Sequence, residues 1–141
     1  MANVNIRPFL GEWKLIPEQS RYEMGHPPKK AFYRIQPKNE QFSFTAEWTT
    51  EDDNRFQVTY YSVPDGKSYP YGNPRLADTI SSRLLDGRTL DTAVSKDNIV
   101  ISYARRTLSD DHGVMTVTQT GFTPDGKPYS NLSVYRKCSL E

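Results

Sequence analysis

The sequence predicts an all-β protein, a single antiparallel up-and-down β-barrel of about eight to ten strands with little or no helix. Three observations lead there. Residue character alternates with a two-residue period along most of the chain, and turn dipeptides punctuate it at hairpin spacing. Ten consecutive meandering strands also leave two bare edges unless the sheet closes on itself. A length of 141 residues suits one ordinary domain. We place that domain over residues 1–139 and read Leu140 and Glu141 as a cloning remnant.

The first strand falls at 12–16. Residues 18–24 are the best helical stretch, a single turn cut off by Gly25 and Pro27-Pro28. A strand at 31–36 follows, then one at 41–49 with Phe42, Phe44, Ala46 and Trp48 on one face and Ser43, Thr45 and Glu47 on the other. Residues 55–63 repeat the pattern with Phe56, Val58 and Tyr60. Shorter strands are expected at 67–71, 77–85 and 89–96. In 98–108 the apolar face is read as Ile99, Ile101 and Tyr103, and in 114–122 as Met115, Val117 and Gln119; the last strand is 128–136. Asp65-Gly66, Asp86-Gly87 and Asp125-Gly126 are hairpin dipeptides, and 110–113 is a longer turn with Gly113 at positive φ. Sequential strands are therefore expected to be antiparallel neighbours. The Pro-Asp-Gly-Lys stretches at 64–67 and 124–127 read as one good turn chemistry used twice.

Apolar residues make up 35% of the chain, low for a soluble domain, while nine Tyr, six Phe, two Trp and a net charge of +1 argue against disorder. The expected interior is thin or partly polar. Eighteen basic and 17 acidic residues are interleaved, which gives no field for nucleic acid or an anionic lipid surface. No apolar run is long enough to span a bilayer, so membrane insertion is not expected. The opening residues lack a signal peptide's basic and apolar regions, which makes the expected location cytoplasmic by default. Lone Cys138 cannot form an internal disulfide. A monomer or weak dimer is expected.

His26, His112 and Cys138 are the only histidines and thiol, and no two lie at ligand spacing, so neither a metal nor a cofactor is expected. Asp110, Asp111 and His112 read as a solvated turn rather than part of a catalytic triad, and no glycine precedes a helix as a phosphate loop requires. The inward positions carry Tyr60, Ser82, Thr92, Tyr103, Arg105, Gln119 and Tyr135. Buried polar groups cost free energy unless paired, so a cavity holding water or ligand accounts for them. A sealed interior in which an arginine pairs with a buried acid accounts for them equally.

Gly11, Glu12 and Trp13, within FLGEWKL, resemble the opening of lipocalins and fatty-acid-binding proteins. NPRLADTIS (73–81), RRTLSDDHGVMTVTQTGF (105–122) and PDGKPYSNLSVYRK (124–137) are similar to a group of uncharacterised bacterial lipocalin-like proteins of calycin type. The resemblance implies a small barrel with an interior cavity and brings no reaction with it. It also implies a barrel floor of Gly11 and Trp13, with Arg136 as the cation over the indole. Two departures stand out. Pro17 and residues 25–28 replace the helical lid of fatty-acid-binding proteins, and Ser133-Val134-Tyr135 keeps the tyrosine but not the arginine of their carboxylate clamp.

The favoured reading is a non-enzymatic binder of a small amphipathic or aromatic molecule. The ligand is expected among Phe44, Trp48, Tyr60, Tyr103, Gln119 and Tyr135, with Arg105 as anion anchor. An enzyme using Arg105 and a nearby tyrosine is one alternative, and a protein-interaction module acting through the 69–74 loop is another.

Overall fold

Alternating strands need partners on both edges, and the chain supplies them by winding each strand back beside its predecessor. The computed structural model describes residues 6–71 and 74–138. Its strands are β1 (Gly11–Leu15), β2 (Arg21–Tyr22), β3 (Lys30–Lys38), β4 (Gln41–Thr49), β5 (Arg55–Ser62), β6 (Asp65–Pro70), β7 (Thr79–Asp86), β8 (Thr89–Lys96), β9 (Ile99–Leu108), β10 (Val114–Phe122) and β11 (Pro128–Lys137). All ten expected strands form. The added β2 and two short 3-10 turns, Arg7–Phe9 and Pro17–Gln19, occupy the stretches before and after β1. No helix among the described residues is long and apolar enough to cross a membrane. Leu140 and Glu141 lie outside the described residues.

The sheet runs β5-β4-β3-β1-β11-β10-β9-β8-β7-β6, with β2 added against β11. This is an all-β, nearly closed antiparallel barrel. The expected β5–β6 hairpin is the exception to sequential pairing, because no backbone ladder joins these two strands. Asp65-Gly66 does not form the expected hairpin turn. Gly66 sits within β6 at φ +82°, where the register against β7 shifts between Asp65 and Ser68. The bulge turns β6 away and leaves a seam. The one side-chain hydrogen bond across it among the described residues runs from Ser62 Oγ to Ser82 Oγ at 2.9 Å.

Two other turns rest on positive-φ residues other than glycine. At the β9–β10 turn His112, not Gly113, takes positive φ. At the β8–β9 turn Asp97 and Asn98 both do, at φ 53° and 65°, as a two-residue I′ hairpin requires.

The core fills one end. Phe9, Trp13, Ile35, Phe44, Leu90, Leu108 and Met115 are fully buried there. Trp13 is 0% exposed, and its indole N–H donates to the Phe9 carbonyl at 3.0 Å. Gly11 opens β1 at φ +116°, a conformation closed to ordinary side chains. The cation over Trp13 is Lys137, at 5.2 Å from the ring centroid, and not Arg136. Alternation explains the correction: β11 turns Ser133, Tyr135 and Lys137 inward, so Arg136, paired with Lys14, faces solvent. Burial pushes the Lys137 ammonium below its ordinary pKa, and its Nζ donates to the Pro8 carbonyl at 3.2 Å.

Candidate functional site

Above the core the inward faces of β3, β4, β5 and β7 to β11 surround a cavity of about 540 Å³. Four of the expected ligand residues, Trp48, Tyr60, Gln119 and Tyr135, line it. Phe44 lies beneath, fully buried and stacked on Tyr60 at 5.0 Å. Tyr103 and Arg105 do not belong to the cavity. On the outer face, Arg105 Nε and Nη2 each donate to Asp91 at 2.9 Å, and the Tyr103 hydroxyl donates to the same carboxylate.

The reversal has a structural cause. Val94 pairs with Ser102 but Ser95 pairs with Val100, so Ile101 is an extra residue that shifts the phase of β9. Ile99 and Val100 are exposed tips, and below the bulge Ala104, Arg106 and Leu108 face inward.

The Asp91–Arg105–Tyr103 group works as surface structure. Burial pushes the Asp91 carboxyl up, but hydrogen bonds from Arg105 and Tyr103 outweigh it and hold the carboxyl below its usual range. A depressed folded pKa means that the contribution is present above the unfolded value of about 3.9 and is lost as pH falls through the lower folded value. Half of the Arg105 side chain is exposed, so screening keeps the pair modest. Asp91→Asn is therefore expected to cost about 1 kcal/mol in denaturant titrations at neutral pH. The difference from wild type should vanish once the carboxyl is protonated in both folded and unfolded chains; a cost that persists in acid would assign the loss to packing.

Arg106 is the residue that sequence reasoning missed. It is 5% exposed, and no carboxylate among the described residues lies within ion-pair distance. Its Nε and Nη2 donate to Tyr33 Oη at 3.1 and 2.7 Å, Nη2 also to Tyr60 Oη at 2.6 Å, and Nη1 to Thr92 Oγ1 at 2.9 Å. The guanidinium also lies 5.4 Å from the Tyr33 ring centroid and 5.6 Å from that of Phe44. A hydroxyl chain continues from Thr92 to Ser82 at 3.2 Å and on to Ser62.

Donors exceed acceptors in this cluster. Five guanidinium N–H groups meet four accounted bonds, which leaves one Nη1 proton free. Tyr33 and Tyr60 share one O···O contact of 3.0 Å, so one of their two hydroxyl protons is also free. Tyr135, which lines the same cavity, has no hydrogen-bond partner among the described residues. Burial pushes the Tyr60 phenol up, with Arg106 pulling the other way, and burial pushes Tyr135 up too. Both phenols are neutral donors at physiological pH. A positive pocket with spare donor protons complements an anionic oxygen group.

At the mouth, residues 23–28 cross from β2 to β3 as a strap. The Glu23 and Met24 N–H groups donate to Asn131 Oδ1 at 2.9 and 3.1 Å, and Asn131 Nδ2 donates to the Met24 carbonyl at 3.3 Å. The recess beneath the strap, about 660 Å³, has His26, Pro27 and Pro28 on one side and Trp48, Glu51 and Asp52 on the other. Asn131→Leu is expected to make the strap cleavable by protease in the native state while the melting temperature moves by only about 2 °C, since exposed loop bonds carry little global stability. Unchanged cleavage would show that the strap is held by other contacts.

No group of three or more His, Cys, Asp or Glu among the described residues is arranged to hold a metal ion. Among solved structures, the chain is similar to zebrafish ileal bile acid-binding protein complexed with cholic acid, with a TM-score of 0.55 and 15% identity over 93% of this chain and 99% of that one. It also resembles the siderocalin Ex-FABP, with a TM-score of 0.45 and 12% identity over 95% of this chain and 77% of that one. No family model matches the chain, and no curated protein matches it in sequence. The first likeness, with the strand order and the near-closure, places the chain in the calycin, lipocalin-like fold.

Proposed function

We propose that this protein binds a small amphipathic anion inside its barrel without transforming it. The observation that carries the reading is Arg106, a buried cation with surplus donors, no carboxylate within ion-pair distance among the described residues, and an aromatic-walled cavity beside it. A sealed structural core gains little from a charge held by hydrogen bonds to neutral hydroxyls, since burying a charge costs several kcal/mol. The bile acid-binding protein of similar fold was crystallised with cholic acid, itself an amphipathic acid, and this supports the ligand class.

Arg105 and Tyr103 face solvent, so an enzyme built on that arginine has no interior site to work in. Of the 69–74 loop offered as an interaction surface, Tyr69, Pro70 and Tyr71 line a recess in the barrel wall, and Gly72 and Asn73 lie outside the described residues. Native mass spectrometry of gently purified protein, followed by a thermal-shift screen of carboxylates, sulfonates and neutral amphiphiles, tests the reading. A retained acid, or upward shifts confined to the anions, is the expected result. Shifts that ignore charge would overturn it.

A further inference from the structure

We propose that the cavity ligand is an anion with an extended apolar tail, and that the tail leaves the interior sideways, through the seam between β5 and β6. This rests on the Arg106 anchor proposed above.

The seam holds a recess of about 600 Å³. Val58, Tyr60, Tyr71, Leu76 and Ile80 line both this recess and the interior cavity, so the two spaces meet at these side chains. Tyr60 joins them chemically as well. Its hydroxyl accepts from Arg106 while its ring stands on the β5 flank of the seam.

Charge distinguishes the two ways out. The mouth is lined by Glu47, Glu51, Asp52 and His26, whereas no Asp, Glu, Lys, Arg or His among the described residues lines the seam recess. A hydrocarbon tail at the mouth would desolvate carboxylates for no return, and in the seam it covers apolar surface. That surface is available: Val58 on β5 is 44% exposed although its side chain faces the cavity, and Leu76 on the opposite flank is 60% exposed. Among the described residues no backbone ladder closes the seam, since β5 and β6 share none and the Ser62–Ser82 hydrogen bond sits at the far end of β5.

The test is a chain-length series, octanoate to octadecanoate, measured by displacement of anilinonaphthalenesulfonate from wild type, Tyr61→Glu and Leu76→Asp. Tyr61 lines the recess but not the interior cavity, and both residues are exposed enough for the substitutions to leave the fold intact. Wild-type affinity is expected to rise by up to about fourfold per methylene. Tyr61→Glu should weaken octadecanoate by at least about tenfold yet leave octanoate within about twofold of wild type, with Leu76→Asp showing the same trend. A loss equal at every length, or none at any length, overturns the tail site and leaves the anchor standing. Absence of any carboxylate binding by wild type overturns both. Sedimentation that reveals a wild-type dimer dissolved by Tyr61→Glu also overturns the tail site, because a second copy of the chain then covers the seam.

Discussion

Arg106→Met is expected to lower the affinity for anilinonaphthalenesulfonate by roughly a hundredfold, about 3 kcal/mol, while binding of the uncharged dye Nile red changes little. The asymmetry follows from what methionine removes. The apolar stem is largely kept, but the charge and the spare Nη1 proton are lost. The hydroxyls left behind are not orphaned, since Tyr33 and Tyr60 still bond each other at 3.0 Å and Thr92 still meets Ser82 at 3.2 Å. The variant should therefore fold, and thermal denaturation will confirm that affinity rather than stability has changed. Arg106→Lys keeps the charge but not the planar fork that reaches both phenols and Thr92, so only partial recovery is expected. Equal losses for the charged and the neutral dye would remove the anchor from the account and reduce Arg106 to a packing residue.

Trp13→Ala is expected to have the largest effect on stability, about 3 to 5 kcal/mol. In a domain of this size that corresponds to a fall in melting temperature of about 10 °C or more. Three contacts are lost together: the fully buried indole surface, the hydrogen bond to the Phe9 carbonyl, and the face on which Lys137 rests. Lys137 is then left partly buried, keeping only its contact with the Pro8 carbonyl. Melting within a degree or two of wild type would show that the barrel end closes without the tryptophan.

Most of the fold was legible because strand alternation and turn chemistry are local. Ten strands are read from period-two patterns alone, and the Asp125-Gly126 turn forms where the dipeptide indicates, with Gly126 at positive φ. Longer-range features were less so. Asp65-Gly66 is good hairpin chemistry, but no local signal reports that β6 bulges away from β5 and leaves the seam. The neighbouring arginines were exchanged for a similar reason. Ile99, Ile101 and Tyr103 set a phase from the exposed end of β9, upstream of a bulge that sequence does not reveal. The correct phase was within reach, because Met115 pairs with Leu108 across the 109–113 turn and cross-strand partners share a face. Carrying the inward Met115 across that turn puts Leu108, and hence Arg106, inside. Arg136 fails the same check against Tyr135.

The strand order also bears on how the barrel assembles. Most ladders join sequence neighbours across short turns, but β1 meets β11, with Trp13 opposite Lys137, across nearly the whole chain. Loop-closure entropy grows with the logarithm of the loop, and relative to a tight hairpin this pairing costs about 3 kcal/mol more to initiate. The hairpin array β7 to β11 can form from local contacts, and the β1 pairing, which has the highest contact order in the sheet, is then the slow event. Burial of Trp13 accordingly reports the end of folding, and its fluorescence should lag behind the appearance of β-structure on refolding.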